Sequence, residues 1–365
     1  MKAVQFTDFQ ESEIVEIERE DPGPSEVEIK IDRVQLSVTE CDLIMGVQKK
    51  HYEQVKHRIE SGDSRLFGHE FCGHITEIGT GVTDFEVGDR VYAPGKISCG
   101  ECVYCDRQYP ELCKSKQGIG YERPGALAEY LLLPTEPLAK LPDDVSDAAG
   151  AAMQPLASTI LCVDDSGLSS GDVAVIYGAG VMGLQCGQIA MLKGAKDVFA
   201  VDIDERKLDL AASMGMDPID GTEGSVSERI KTRTDGIGAD VVFECVGGPQ
   251  ESATDERSPL GSAFQSVREG GTIVQVGHIA GDVSLTPREY GSKMVSWVNP
   301  QKGVISLGPN SDNGRFAPEL VADGRVSIEE FTTHELHGLE KLDELVDITL
   351  NKPEHDALGP AQLIL

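Results

Sequence analysis

The chain has 365 residues and carries 62 acidic side chains against 32 lysines and arginines, a formal charge of −30. At roughly 150 residues per domain the length predicts two domains, and 40% apolar with 26% charged residues is an ordinary globular composition. The acids are spread along the chain and not gathered in a tail, so the field they create opposes nucleic acid and anionic membranes as partners.

Met1-Lys2-Ala3-Val4-Gln5-Phe6 reads as a strand and lacks the apolar core of a signal peptide, so a cytoplasmic location is expected. Residues 1–157 are strand-rich. Val27-Glu28-Ile29-Lys30-Ile31 alternates with period two, Gly79-Thr80-Gly81 closes the run Ile75–Ile78, and Val87-Gly88-Asp89 precedes Arg90-Val91-Tyr92-Ala93. Short strands with such punctuation predict a barrel-like β domain. His51 and His57 fall in a charged, helical stretch and read as solvated.

Nine cysteines, an odd number in a chain without a visible signal, argue against a disulfide framework. Cys99-x2-Cys102-x2-Cys105-x7-Cys113 instead matches a closed tetrahedral zinc site, with an iron–sulfur cluster as the alternative. Four sulfurs leave no open position, so this metal is expected to be structural. Cys72, Cys162, Cys186 and Cys245 lie in apolar settings and read as packing residues.

From 158 to 300 strands alternate with helices. Val173–Tyr177, Val198–Val201, Asp240–Glu244 and Thr272–Val276 are short apolar runs, a rhythm that predicts a parallel sheet with crossover helices. The charge-free window Val173–Leu192 is long enough to span a bilayer. Its glycines, glutamines and change of period point instead to a buried strand followed by a packed helix. Between them lies Gly178-Ala179-Gly180-Val181-Met182-Gly183, with Asp202 closing the next strand, the context of a dinucleotide fingerprint. The first glycine makes the turn, the second lets backbone approach pyrophosphate, and the third lets helix and strand pack. Asp202 is expected to accept from the adenosine ribose and to repel a 2′-phosphate, favouring NAD over NADP. The segment 301–365 mixes helix and strand without a core pattern of its own. It is read as a return segment completing the first domain.

Taken together these features resemble the zinc-containing medium-chain dehydrogenases, leaning toward the polyol, sugar and threonine dehydrogenase branches. The matching motifs are Gly68-His69-Glu70, Gly81-Val82-x-x-Phe85-x-x-Gly88-Asp89-Arg90-Val91, Gly125-Ala126-Leu127-Ala128-Glu129-Tyr130 and Phe243-Glu244-Cys245-Val246-Gly247. The resemblance covers essentially the whole chain. It implies an α/β protein with a β-rich GroES-like catalytic domain and a Rossmann doubly wound parallel-sheet domain. It also implies an active cleft between the two, hydride transfer between a small secondary alcohol (polyol or sugar) and a nicotinamide cofactor, and cofactor contacts at Val246 and Gly277. A homo-oligomer, dimer or tetramer, is expected, with a strand near 303–308 extending the sheet across a dimer. The acidic balance is similar to that of haloarchaeal proteins, implying a halophilic setting.

The family's second zinc uses a Cys in a C-x-[ST]-D stretch, the His of GHE, and a Glu of that motif or of a later E-P-L segment. Here Thr39 stands at the Cys position, Cys41 at the proton-relay hydroxyl, and Gln154-Pro155-Leu156 in the later segment. Three readings stay open. Cys41 joins His69, Glu70 and Gln154 around a catalytic zinc; or hydride transfer proceeds as a zinc-independent reductase; or the chain is a non-catalytic nucleotide-binding regulator. Asp42 is expected to accept the free N–H of His69, and an unligated Cys41 to relay a proton.

Overall fold

The computed structural model describes residues 1–300 and 312–365. The expected strand near 303–308 lies outside them. Two compact units emerge, Met1–Ala157 with Gly303–Leu365, and Ser158–Lys302.

In the first unit β1 (Lys2–Asp8) and β2 (Glu11–Glu16) form a hairpin. They are followed by β3 (Glu26–Gln35), β4 (Glu70–Ile78), β5 (Arg90–Tyr92), β6 (Tyr130–Pro134) and β7 (Ala139–Lys140). The sheet runs Glu335–His337, Gln362–Ile364, β3, β4, β5, β7, with β6 also paired to β3. Its core is aliphatic, with Val27, Ile29, Ile31, Val34, Phe71, Ile75 and Leu363 buried. The antiparallel register sets Gln362 opposite Gln35 and Gln35 opposite Glu70, so three polar side chains from adjacent strands meet at one level. Tyr92 Oη donates to Gly314 O at 2.6 Å and ties the last segment to β5.

Helix α1 (Val38–Ile44) follows β3 directly. Ser37 caps it by accepting from Glu40 N, and the Glu40 carboxylate accepts from Ser37 N in return. This reciprocal capping satisfies two otherwise orphaned amides and fixes where the helix starts.

The second unit is a parallel sheet of β8 (Val173–Tyr177), β9 (Asp197–Asp202), β10 (Asp217–Asp220), β11 (Ala239–Glu244), β12 (Val267–Gln275) and β13 (Ser296–Val298). Their order across the sheet is β10-β9-β8-β11-β12-β13. The order reverses between β8 and β11, which makes the carboxyl ends of those strands the place where a doubly wound sheet binds its ligand. The charge-free window is β8 plus the helix Val181–Leu192, and among the described residues no helix is long and apolar enough to cross a membrane.

Candidate active site

At the end of β8 the chain turns at Gly178, whose φ of 92° lies in the left-handed region. A Cβ there would come within 3.0 Å of Val246 N, so glycine is needed both for the turn and for the close passage of the β11 loop. Gly183 is needed for a different reason, since a Cβ would sit 1.9 Å from Gly178 O. Gly180 precedes the helix Val181–Leu192 without a side-chain cap, so the first-turn amides around Val181 and Met182 are left for an anion. Asp202 does more than await a ribose. Its Oδ2 accepts from Ala179 N at 2.8 Å and its Oδ1 from Ile203 N and Asp204 N, so it also holds the glycine loop in shape. Lys207 Nζ lies 3.7 Å from Oδ2. Across the switch point, Glu244 Oε1 accepts from Val246 N and Gly247 N, and Glu244 O from Gly277 N, bringing 246–247 and 277 to one rim.

The four cysteines Cys99, Cys102, Cys105 and Cys113 place their sulfurs within 4.8 Å of one another. Adjacent pairs stand 3.5, 3.6 and 3.9 Å apart. Four thiolates about 2.3 Å from one zinc would be about 3.8 Å apart, so the donor set fits the metal. The Cys105 backbone amide draws the Cys102 thiol below its ordinary pKa, while burial pushes Cys113 up.

The second centre is built on β3, α1 and β4. Glu40 is fully buried. Its Oε1 accepts from Gly68 N at 2.8 Å and lies 2.8 Å from His69 Nδ1, an ion-pair contact off hydrogen-bond alignment. The His69 side chain keeps 24% exposure, and Nδ1 is the buried nitrogen of the ring. His69 Nε2 stands 3.8 Å from Glu70 Oε1, while Glu70 Oε2 accepts from Gln35 Nε2 at 2.6 Å. Gln35 in turn accepts from Gln362 Nε2 at 3.1 Å, the side-chain counterpart of the strand register. Burial disfavours the charged imidazole, but Glu40 outweighs it and raises His69 to about 9. Burial pushes Glu70 up to about 7 against the pull of His69. Tetrahedral ligands about 2.0–2.2 Å from one zinc stand about 3.3–3.6 Å apart, so this pair needs to close by only a few tenths of an ångström, and a ligating histidine ordinarily has its other nitrogen on a carboxylate. His69 and Glu70 therefore fit a metal as a pair of donors.

Of the other expected members, Asp42 pairs elsewhere, and Cys41 does not gather with His69 and Glu70 into a metal-holding group. Cys41 is buried in the core, where α1 packs against the helix Leu342–Leu350. Burial first, then the Glu40 charge, pushes its pKa well above the thiol range, which disfavours the free thiolate that a relay needs. Asp42 pairs with Lys49 and not with His69; the place expected for it belongs to Glu40. The cause is helical geometry. At about 100° per residue, positions 40, 41 and 42 point to three different sides of α1. Gln154 is buried and donates to Pro94 O at 3.4 Å. Among the described residues the four-cysteine cluster is the group of three or more such donors gathered closely enough to hold a metal. Glu40 and Gln35 were missed by motif reading, although Ser37-x-x-Glu40 is a capping-box pattern. Tyr121 was missed too. It lies 5.8 Å, ring to ring, from His69 and stacks at 4.6 Å on His51. His51 is thus held at the site's wall and is not simply solvated.

Comparison with known proteins agrees with both units. A family profile described as "Alcohol dehydrogenase GroES-like domain" matches residues 23–143, and one described as "Zinc-binding dehydrogenase" matches 181–305. A sorbitol dehydrogenase of Halalkalibacterium halodurans is 34% identical over 250 residues, 68% of this chain and 70% of that protein. An L-threonine 3-dehydrogenase of Pyrococcus furiosus is 28% identical over 338 residues, 92% of this chain and 91% of its own. A Sinorhizobium meliloti 1021 chain solved bound to NADP superimposes with a TM-score of 0.83 at 26% identity, covering 100% of this chain and 99% of that one. The chain therefore belongs to the zinc-containing medium-chain dehydrogenase family and is an alcohol oxidoreductase of that type.

Proposed function

We propose that the chain transfers a hydride between a secondary alcohol of the polyol or sugar class and NAD, at the centre marked by His69 and Glu70. The observation that carries this reading is the His69–Glu70 pair, held from behind by Glu40 and Gln35 and open to solvent at the imidazole. Zinc held by His69 and Glu70 would supply Lewis-acid polarisation of the alcohol oxygen, and the nicotinamide would supply the hydride acceptor. Glu40 fixes the imidazole by engaging Nδ1, which leaves Nε2 as the outward donor. Gln35 occupies Glu70 Oε2 and so leaves Oε1 beside the ring. Asp202 supports NAD, since its carboxylate at the end of β9 opposes a 2′-phosphate; Lys207 beside it weakens that opposition. The Cys99–Cys113 cluster holds its metal for structure alone. A homo-oligomeric, cytoplasmic enzyme of a salty host completes the proposal, resting on the family resemblance and on the charge of −30.

A second reading, hydride transfer without a second zinc, is favoured by Cys41, whose thiol does not gather with His69 and Glu70 as a third donor. Metal analysis alongside NAD- and NADP-linked rates on a panel of polyols and sugars separates the two. Two zincs per chain, falling to one in His69→Ala, with oxidation faster on NAD, is the expected result. One zinc in the fully active enzyme assigns the second reading. No turnover of any alcohol with either cofactor overturns both.

A further inference from the structure

Tyr121 stands beside His69 and has no part in the reading above. Its side chain is 7% exposed, enclosed by three rings. Phe67 meets it edge-on at 6.3 Å, His51 stacks on it at 4.6 Å, and the His69 imidazole lies tilted at 5.8 Å. The backbone is held as firmly. Tyr121 N donates to Gly118 O at 3.2 Å, and the buried Arg58 guanidinium donates to Tyr121 O at 2.6 Å and to Arg123 O at 3.1 Å. Gly120, just before it, has a φ of 77°, and a Cβ there would come within 2.8 Å of the Phe67 backbone. The loop that carries Tyr121 is thus pressed against the segment that leads into His69.

Everything about this side chain is fixed except its polar atom. The Tyr121 hydroxyl makes no hydrogen bond among the described residues, and it is not one of the side-chain atoms sealed from solvent. A buried tyrosine ordinarily finds its hydroxyl a partner within the protein; here the partner must come from outside the chain. His51 adds a second sign of a built arrangement. It heads the helix Tyr52–Ser61 at a left-handed φ of 76° and gives it no side-chain cap. That conformation is unfavourable for a non-glycine residue and persists only where the surroundings impose it. His51 Nδ1 donates to Gln54 Oε1 at 3.0 Å, which sets the plane of the ring that lies on Tyr121.

We infer that Tyr121 reads a second hydroxyl of the alcohol, the one on the carbon beside the reacting carbon, and that His51 positions the phenol for it. The inference rests on the dehydrogenase reading above and gives that reading a specificity residue. The reacting carbon stays with His69 and Glu70. A phenol can both donate to and accept from a hydroxyl. An alcohol lacking that hydroxyl leaves the phenol desolvated without a partner, which is how a polar site rejects a deoxy analogue.

The test compares, at saturating NAD, a butanediol with adjacent hydroxyls and the butanol that keeps only one secondary hydroxyl. The expected result is a kcat/KM for the diol about tenfold higher or more. Tyr121→Phe keeps the ring and removes the hydroxyl, and should shrink that preference about fivefold or more, chiefly through KM of the diol. Retained NADH binding and an unfolding midpoint near that of the parent show that the variant is folded. In His51→Gly the left-handed conformation is relaxed, so the midpoint should hold while the diol preference falls part of the way. A parent enzyme that does not distinguish the two alcohols overturns the inference and leaves the dehydrogenase reading standing. So does a Tyr121→Phe enzyme that keeps the full preference, or one that slows on both alcohols equally. A His51→Gly enzyme with unchanged preference overturns the part given to His51. No turnover of either alcohol, or of the wider panel, overturns the inference and the dehydrogenase reading together.

Discussion

Replacing Glu40 by glutamine removes a charge from a buried side chain that accepts from Ser37 N and Gly68 N and faces His69 Nδ1. The amide can keep one acceptor role but not all of them, and breaking a buried charged contact costs about 3–5 kcal/mol. Glu40→Gln should therefore lower the unfolding midpoint and slow turnover. A purely structural role would end there, but the metal-binding pH profile distinguishes more. In the metal-free protein His69 holds its proton to about 9 and Glu70 to about 7, both above their ordinary values of 6.5 and 4.5. Both groups are then protonated in the folded state where the unfolded chain has released its protons. Their contribution favours folding at low pH and is lost as pH rises through about 7 and then about 9. Zinc needs both groups deprotonated, so its affinity should climb from pH 6 to pH 9. Glu40→Gln removes the largest cause holding the His69 proton, and the upper bend of that climb should move to lower pH. Zinc titration at the second site from pH 6 to pH 10 measures it; an unmoved bend assigns Glu40 to structure alone.

At the scale of elements, the cysteine loop and the glycine loop could be read from the chain because their chemistry is local. Four sulfurs at spacings of two, two and seven are close together in any compact loop, and Gly178 to Gly183 lies directly between β8 and its helix. The loop's stability should depend on its metal. Cys102→Ser, or chelation strong enough to empty the cluster, should lower the unfolding midpoint by about 2–4 °C for each kcal/mol lost, while NADH still binds the second unit. An unchanged midpoint would mean that the loop holds its shape without a metal. The centre at His69 was less legible for a physical reason. Glu40, Cys41 and Asp42 are consecutive letters, but α1 turns them to three sides, so matching a linear motif assigned the wrong neighbours to His69. The Gln362–Gln35–Glu70 chain depends on the register of three strands far apart in sequence.

At the scale of the whole molecule, the charge of −30 acts on every anion that approaches, the dinucleotide first among them. The cofactor is expected to be held by amides of the helix Val181–Leu192, and a basic face plays no part in that contact. Its pyrophosphate must therefore enter against the field of the chain. Screening changes the two interactions unequally. The Debye length falls from about 10 Å at 0.1 M salt to about 3 Å at 1 M. Repulsion summed over a whole surface acts mostly beyond those distances and is relieved. Hydrogen bonds from backbone amides act at about 3 Å and survive. The apparent affinity for NAD should thus improve severalfold from 0.1 M to molar salt, measured by NADH fluorescence titration at constant pH. A Kd for NAD that rises steeply with salt would mean that cationic side chains dominate cofactor binding, and would overturn the salty-host reading proposed above.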